Sequence, residues 1–162
     1  MIGSRKILRN SDERRSTADQ WDAETQRRRE VLRDEINQLT FAIIGAAIEV
    51  HRTLGPGYLE KIYDEALAIE LRLRGHTVDR QQRIPIEYKG VLLAEHVLDM
   101  VVDGEIVLEI KAVEDIHRVH CAQLHSYLTA GAFELGLLIN FNVPVLKDGV
   151  KRVILTSAAG AD

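Results

Sequence analysis

The stretch Asp99-Met-Val-Val-Asp-Gly-Glu-Ile-Val-Leu-Glu-Ile-Lys111 carries two carboxylates and a lysine on what reads as a β-hairpin. Residues 91–102 and 105–113 are rich in branched apolar side chains, and Asp103-Gly104 separates them as a turn separates strands. The turn register decides which residues share a face. A two-residue turn at Asp103-Gly104 would pair Val102 with Glu105 and set Asp99 opposite Leu108, on the face of Ile106 and Ile110. A three-residue turn over 102–104, with Gly104 left-handed, pairs Val101 with Glu105 and Asp99 with Val107. One face then holds Glu95, Val97, Asp99, Glu105, Val107, Glu109 and Lys111, while Leu98, Met100, Ile106, Leu108 and Ile110 hold the other. A one-residue slip would push carboxylates into the apolar face, at several kcal/mol or so per unpaired charge. The three-residue register is therefore expected.

Such a face has a chemical use. Two carboxylates at diagonal cross-strand distance can share a hard divalent cation such as Mg²⁺ or Mn²⁺, which keeps waters and accepts a phosphate oxygen. An ammonium two residues along the strand points to the same place, where it can orient a water or stabilise phosphate charge. A Glu-x-Lys triplet alone also fits a solvated strand face in mutual salt bridges.

The surrounding chain supplies further motifs. Gly57-Tyr-Leu-Glu-Lys-Ile-Tyr63 opens a helix upstream, and Gln123-Leu-His-Ser-Tyr127 lies on a helix downstream. With Asp99 and Glu109-x-Lys111 between them, this order resembles the PD-(D/E)XK nuclease superfamily, and more narrowly the bacterial family named after its GxxExxY motif. The resemblance runs from about residue 39 to 155, and includes Ile43 to His51, Leu54-Gly-Pro-Gly57 and Gly136 to Asn142. It implies a restriction-endonuclease-like α/β core, a mixed central sheet flanked by helices in the order αβββαβ, here with one added helix in front. The hydrophobic pattern reads compatibly: helices over 39–54 and 58–74, strands over 77–88, 91–102 and 105–113, a helix capped by Asp115 up to about residue 130, then strands over 135–141 and 150–155.

The resemblance also implies roles. Asp99 and Glu109 would hold the metal, Glu60 would complete the site from the upstream helix, and Lys111 would position the attacking water. Gln123 would contact the lysine or the nucleic-acid backbone, with Tyr127 and Tyr63 as weaker candidates for substrate contact. Glu60 and Tyr63, and Gln123 and Tyr127, are each one helical turn apart and so share a face. The activity implied is metal-dependent hydrolysis of phosphodiester bonds, in DNA by preference. The alternative is a nuclease-fold module that binds or assembles without turnover. Many relatives carry a basic residue two positions before the strand aspartate. Here that position is Val97, preceded by His96, and the proline of the superfamily's name is also absent.

Composition narrows the classes. The 162 residues fit one domain plus an extension, and 46% hydrophobic content supports a core. Residues 1–35 are dense in both charge signs, include Arg27, Arg28 and Arg29, and read as a solvated helical or disordered extension. The folded domain is expected over 36–156, with 157–162 as a tail. A net charge of −4 is not that of a strong nonspecific DNA binder, so nucleic-acid contact must rest on a local basic patch or be weak. The single cysteine, Cys121, excludes an internal disulfide. With no long apolar run, a cytoplasmic, non-membrane protein is expected, open to a homo-oligomer or protein partner. His117, His120, Cys121 and His125 lack the pair spacing of structural zinc sites and read as helix surface.

Overall fold

In the computed structural model, residues 12–155 are described, with side chains from residue 19. The expected tail, 157–162, and the first eleven residues lie outside the described residues. Two compact units divide at Leu39 and Thr40. The first contains most of helix α1 (Asp12–Leu54), whose side chains over 19–35 are all exposed. The helix itself runs on past residue 36, and its buried stripe begins at Thr40, Ile43, Ala46, Ala47 and Val50. Over 19–35 this part of the helix is rich in good helix formers, Ala, Glu, Arg and Gln.

The second unit is a five-stranded sheet in chain order with helices α2 (Glu60–Leu73) and α3 (Arg118–Gly131). Its strands are β1 (Val78–Tyr88), β2 (Val91–Val102), β3 (Ile106–Lys111), β4 (Leu135–Asn140) and β5 (Val150–Ile154). All neighbours are antiparallel except β3 and β4, which are parallel and joined by the α3 crossover. This mixed sheet with flanking helices is the architecture the sequence implied. The parallel pair is buried on both faces, and β4 accordingly reads as one apolar run, Leu-Gly-Leu-Leu-Ile.

α3 packs against the cluster of Ile84, Leu98, Val101, Val107 and Leu138 through Leu124 and Leu128. Gly136 permits that approach, because a Cβ there would meet Leu124 carbons at 2.9–3.1 Å. Leu67 and Leu71 of α2 are fully buried, as is Tyr63, whose ring stacks on Phe141 at 4.5 Å.

Two expectations about local structure are corrected. The hairpin pairs Val102 with Ile106 and Val101 with Val107, not Val101 with Glu105. Asp103 and Gly104 both take left-handed conformations, φ 51° and 72°, and the Glu105 amide donates to the Val102 carbonyl. The turn proper is thus the two-residue kind, and Glu105 is an extra residue before pairing resumes. Asp103 is held there by its carboxylate, which accepts from the Thr77 amide and hydroxyl and pairs with His76. The second correction concerns α3. His117, not Asp115, is the N-cap, and its backbone N–H donates to His120 Nδ1 at 3.1 Å.

Candidate active site

The pleat of β2 is interrupted at Asp99. On one side of it Arg80 pairs with Met100 and Gln82 with Leu98, but the intervening Gln81 has φ 61°, which a non-glycine residue seldom adopts. On the other side, the β2–β3 ladder ends at Met100 and Leu108. Leu98 joins the same cluster as Val101, three residues on, which regular alternation forbids. The expected division into one polar and one apolar face therefore fails at this point.

Asp99 fills the fork between the strands. Its Oδ2 accepts the Ile110 N–H at 2.8 Å, taking the place of a ladder carbonyl. It also lines a cavity with Glu60, Lys61, Asp64, Arg80 and Gln81, on the α2 side. Glu109 approaches from the α3 side, since its ladder partner Leu138 belongs to the α3 cluster. Its Oε2 lies 3.7 Å from Lys111 Nζ and its Oε1 3.9 Å from His96 Nε2. The His96 ring in turn stacks on Tyr127, centroids 3.5 Å apart and planes nearly parallel.

The electrostatics show how closely these groups are coupled. Glu109 is only 6% exposed, and burial, followed by the charge of Asp99, pushes its pKa from 4.5 up to about 7. Lys111 opposes that rise and Glu60 adds to it. Burial likewise raises Asp99, with the Ile110 amide and Lys111 pulling the other way. Glu60, at the first position of α2, is raised by burial and by Asp99 and Asp64, against Lys111. Asp99, Glu109, Glu60 and Lys111 thus sense one another's charge.

The buried oxygen Glu109 Oε1 has no hydrogen-bond partner. An anionic oxygen in that state calls for a proton or a cation. The hard carboxylate donors fit a divalent ion. Among the described residues, no three His, Cys, Asp or Glu side chains are arranged to enclose a metal by themselves. A cation here would be held by few side chains and complete its shell with water, as Mg²⁺ commonly does.

The remaining sequence candidates fall elsewhere. Tyr63 is fully buried, and its hydroxyl donates to the Gly55 carbonyl and accepts the Tyr58 amide. It shapes the turn that aims α2. Gln123 is exposed on α3, while Tyr127, one turn on, is half-buried against His96. Three groups near the carboxylates were not picked out from sequence: His96, and the Asp64–Arg80 pair that ties α2 to β1. Asp64 lies one turn from Glu60, which would have signalled a shared face. Arg80 and His96 carried no such signal.

A family model described as the PD-(D/E)XK nuclease superfamily matches residues 37–153. No curated protein and no solved structure matches the chain.

Proposed function

The chain belongs to the PD-(D/E)XK nuclease superfamily, and from that premise we propose that it is a metal-dependent phosphodiesterase acting on nucleic acid, with DNA the leading substrate. Membership of the narrower GxxExxY family is part of this reading, supported by Gly57, Glu60 and Tyr63 at the motif spacing. The observation that carries it is the fork itself: Asp99 and the partnerless oxygen of Glu109 beside Lys111.

Asp99 and Glu109 would hold Mg²⁺ or Mn²⁺, with Glu60 reaching it directly or through water. When bound, such an ion polarises a phosphoryl oxygen and acidifies a coordinated water. The chain's own groups do the rest. Lys111, fixed by Glu109 at 3.7 Å, presents an ammonium where a water or a phosphate oxygen can accept its hydrogen bond. Asp99, anchored by the Ile110 amide, cannot rotate away from the fork without leaving that donor unsatisfied. Gln123, exposed on α3, would meet a substrate strand rather than the lysine.

The test is incubation of labelled single- and double-stranded DNA and RNA with Mg²⁺, Mn²⁺ or EDTA. Cleavage that requires the metal and disappears in Glu109→Gln supports the reading. Metal binding without cleavage of any of the four favours a silent binding or assembly module instead. The net charge of −4 and Val97 in place of a basic residue give that second reading its footing.

A further inference from the structure

His96 occupies a place the family pattern does not assign. Its pairing with Ile84, a member of the α3 cluster, turns the ring toward α3, where Tyr127 stacks flat against it at 3.5 Å. That stack fixes the ring plane and aims Nε2 at Glu109. His96 Nε2 and Glu109 Oε1 are both buried, both lack a hydrogen-bond partner, and stand 3.9 Å apart. The separation is too long for a hydrogen bond. It does suit two donors on one ion: with ligand distances of about 2.1 Å, adjacent donors lie about 3 Å apart and opposite ones about 4 Å. Lys111 occupies the other Glu109 oxygen, leaving Oε1 free to face the imidazole.

We propose that His96 is a nitrogen ligand beside Glu109 Oε1 to the divalent cation, the rest of whose shell is water, so that the site favours transition-series ions over Mg²⁺. The inference rests on the metal-site reading above and names which ions that site prefers. Mg²⁺ is a hard ion that gains little from imidazole, whereas affinity for a nitrogen donor rises from Mn²⁺ to Co²⁺. Tyr127 acts as a positioning residue, holding the ring through its face.

The experiment titrates the full chain, wild type and His96→Phe, with Co²⁺, Mn²⁺ and Mg²⁺ by calorimetry, after thermal melts confirm that both fold. Phenylalanine keeps the stack on Tyr127 and removes only the nitrogen. Co²⁺ affinity is expected to fall at least tenfold in the variant, with Mg²⁺ affinity changed less than about threefold. Pulsed electron paramagnetic resonance of Mn²⁺-loaded wild type should show imidazole ¹⁴N coupling, and this arm stands even if the variant does not fold. Equal losses for all three ions, no loss for any, or absent nitrogen coupling would overturn the proposal. If Glu109→Gln abolishes binding while His96→Phe changes nothing, this inference falls alone. If wild type binds none of the ions at millimolar concentration, the metal-site reading falls with it.

Discussion

Asp99 Oδ2 accepts the Ile110 backbone N–H at 2.8 Å, so a side chain substitutes for the neighbouring strand just where the β2–β3 ladder ends. One residue thereby does two jobs: it satisfies the fork's open donor and presents its second oxygen to the site. Asp99→Asn retains an acceptor oxygen and should leave the melting temperature within a few degrees, while weakening Mn²⁺ binding. Asp99→Ala orphans the Ile110 donor, at about 1–3 kcal/mol. Loss of the Asp99 charge also relieves buried Glu109, whose pKa it helps push to about 7, so metal-free thermal melts at pH 6 and pH 8 should show a larger net loss at the lower pH.

Glu109 makes the metal-free protein pH-sensitive. Folded, it titrates near 7 rather than 4.5, so between those values the native state binds more protons than the unfolded chain. The stability it contributes is present below pH 4.5 and lost as pH rises through about 7, by about 3 kcal/mol in all at about 1.4 kcal/mol per pH unit. Glu109→Gln should flatten this slope and make the apo protein more stable than wild type at pH 8. Urea titrations from pH 5 to 8 in EDTA measure it, and identical pH profiles for the two proteins would contradict the burial argument.

The turn at Asp103 titrates in the opposite sense. Partial burial pushes its carboxyl up, but hydrogen bonds from His76 and Thr77 together outweigh it and hold the group below the usual range. Its stabilisation is therefore present above the unfolded pKa and lost as pH falls through the lower folded value. Asp103→Asn should destabilise the protein at pH 6 by roughly 1 kcal/mol, and by less near pH 3. Denaturant midpoints at the two pH values decide it.

Packing on the α3 face depends on Gly136. A Cβ there would sit 2.9 Å from Leu124 Cδ1 and 3.1 Å from its Cγ, so the whole branch point must move. Gly136→Ala should cost about 1–3 kcal/mol, and Leu124→Ala in the same background should recover part of that loss. Denaturant melts of the four proteins of this cycle would show the coupling.

Much of the fold was legible because its signals are local. The β2 span was read to the residue from its apolar run and the Lys89-Gly90 turn, where both residues are left-handed. The candidate site could be proposed from sequence because Asp99, Glu109 and Lys111 lie close together on one hairpin. The register was not, since Asp103 is held in its left-handed state by Thr77 and His76, more than twenty residues away. Nor was the break in the β2 pleat, which depends on Gln81 of another strand. His96 and Arg80 escaped for the same reason: their partners, Tyr127 and Asp64, come from helices distant in sequence. The composition shift near residue 36 does not end α1, which runs on to Leu54 while the compact units divide at Leu39 and Thr40.

The central claim is that Asp99 and Glu109 hold a cation that Lys111 serves without ligating. The most direct measurement is Mn²⁺ affinity, by calorimetry, of wild type, Glu109→Gln and Lys111→Met, alongside their cleavage rates on one labelled substrate. Glu109→Gln should lose at least about tenfold in affinity, since hard cations depend on ligand charge. Lys111→Met should bind as well as wild type or better, yet turn over about 10²-fold more slowly. Equal metal affinity in all three proteins, or no binding by wild type at millimolar Mn²⁺, would contradict it.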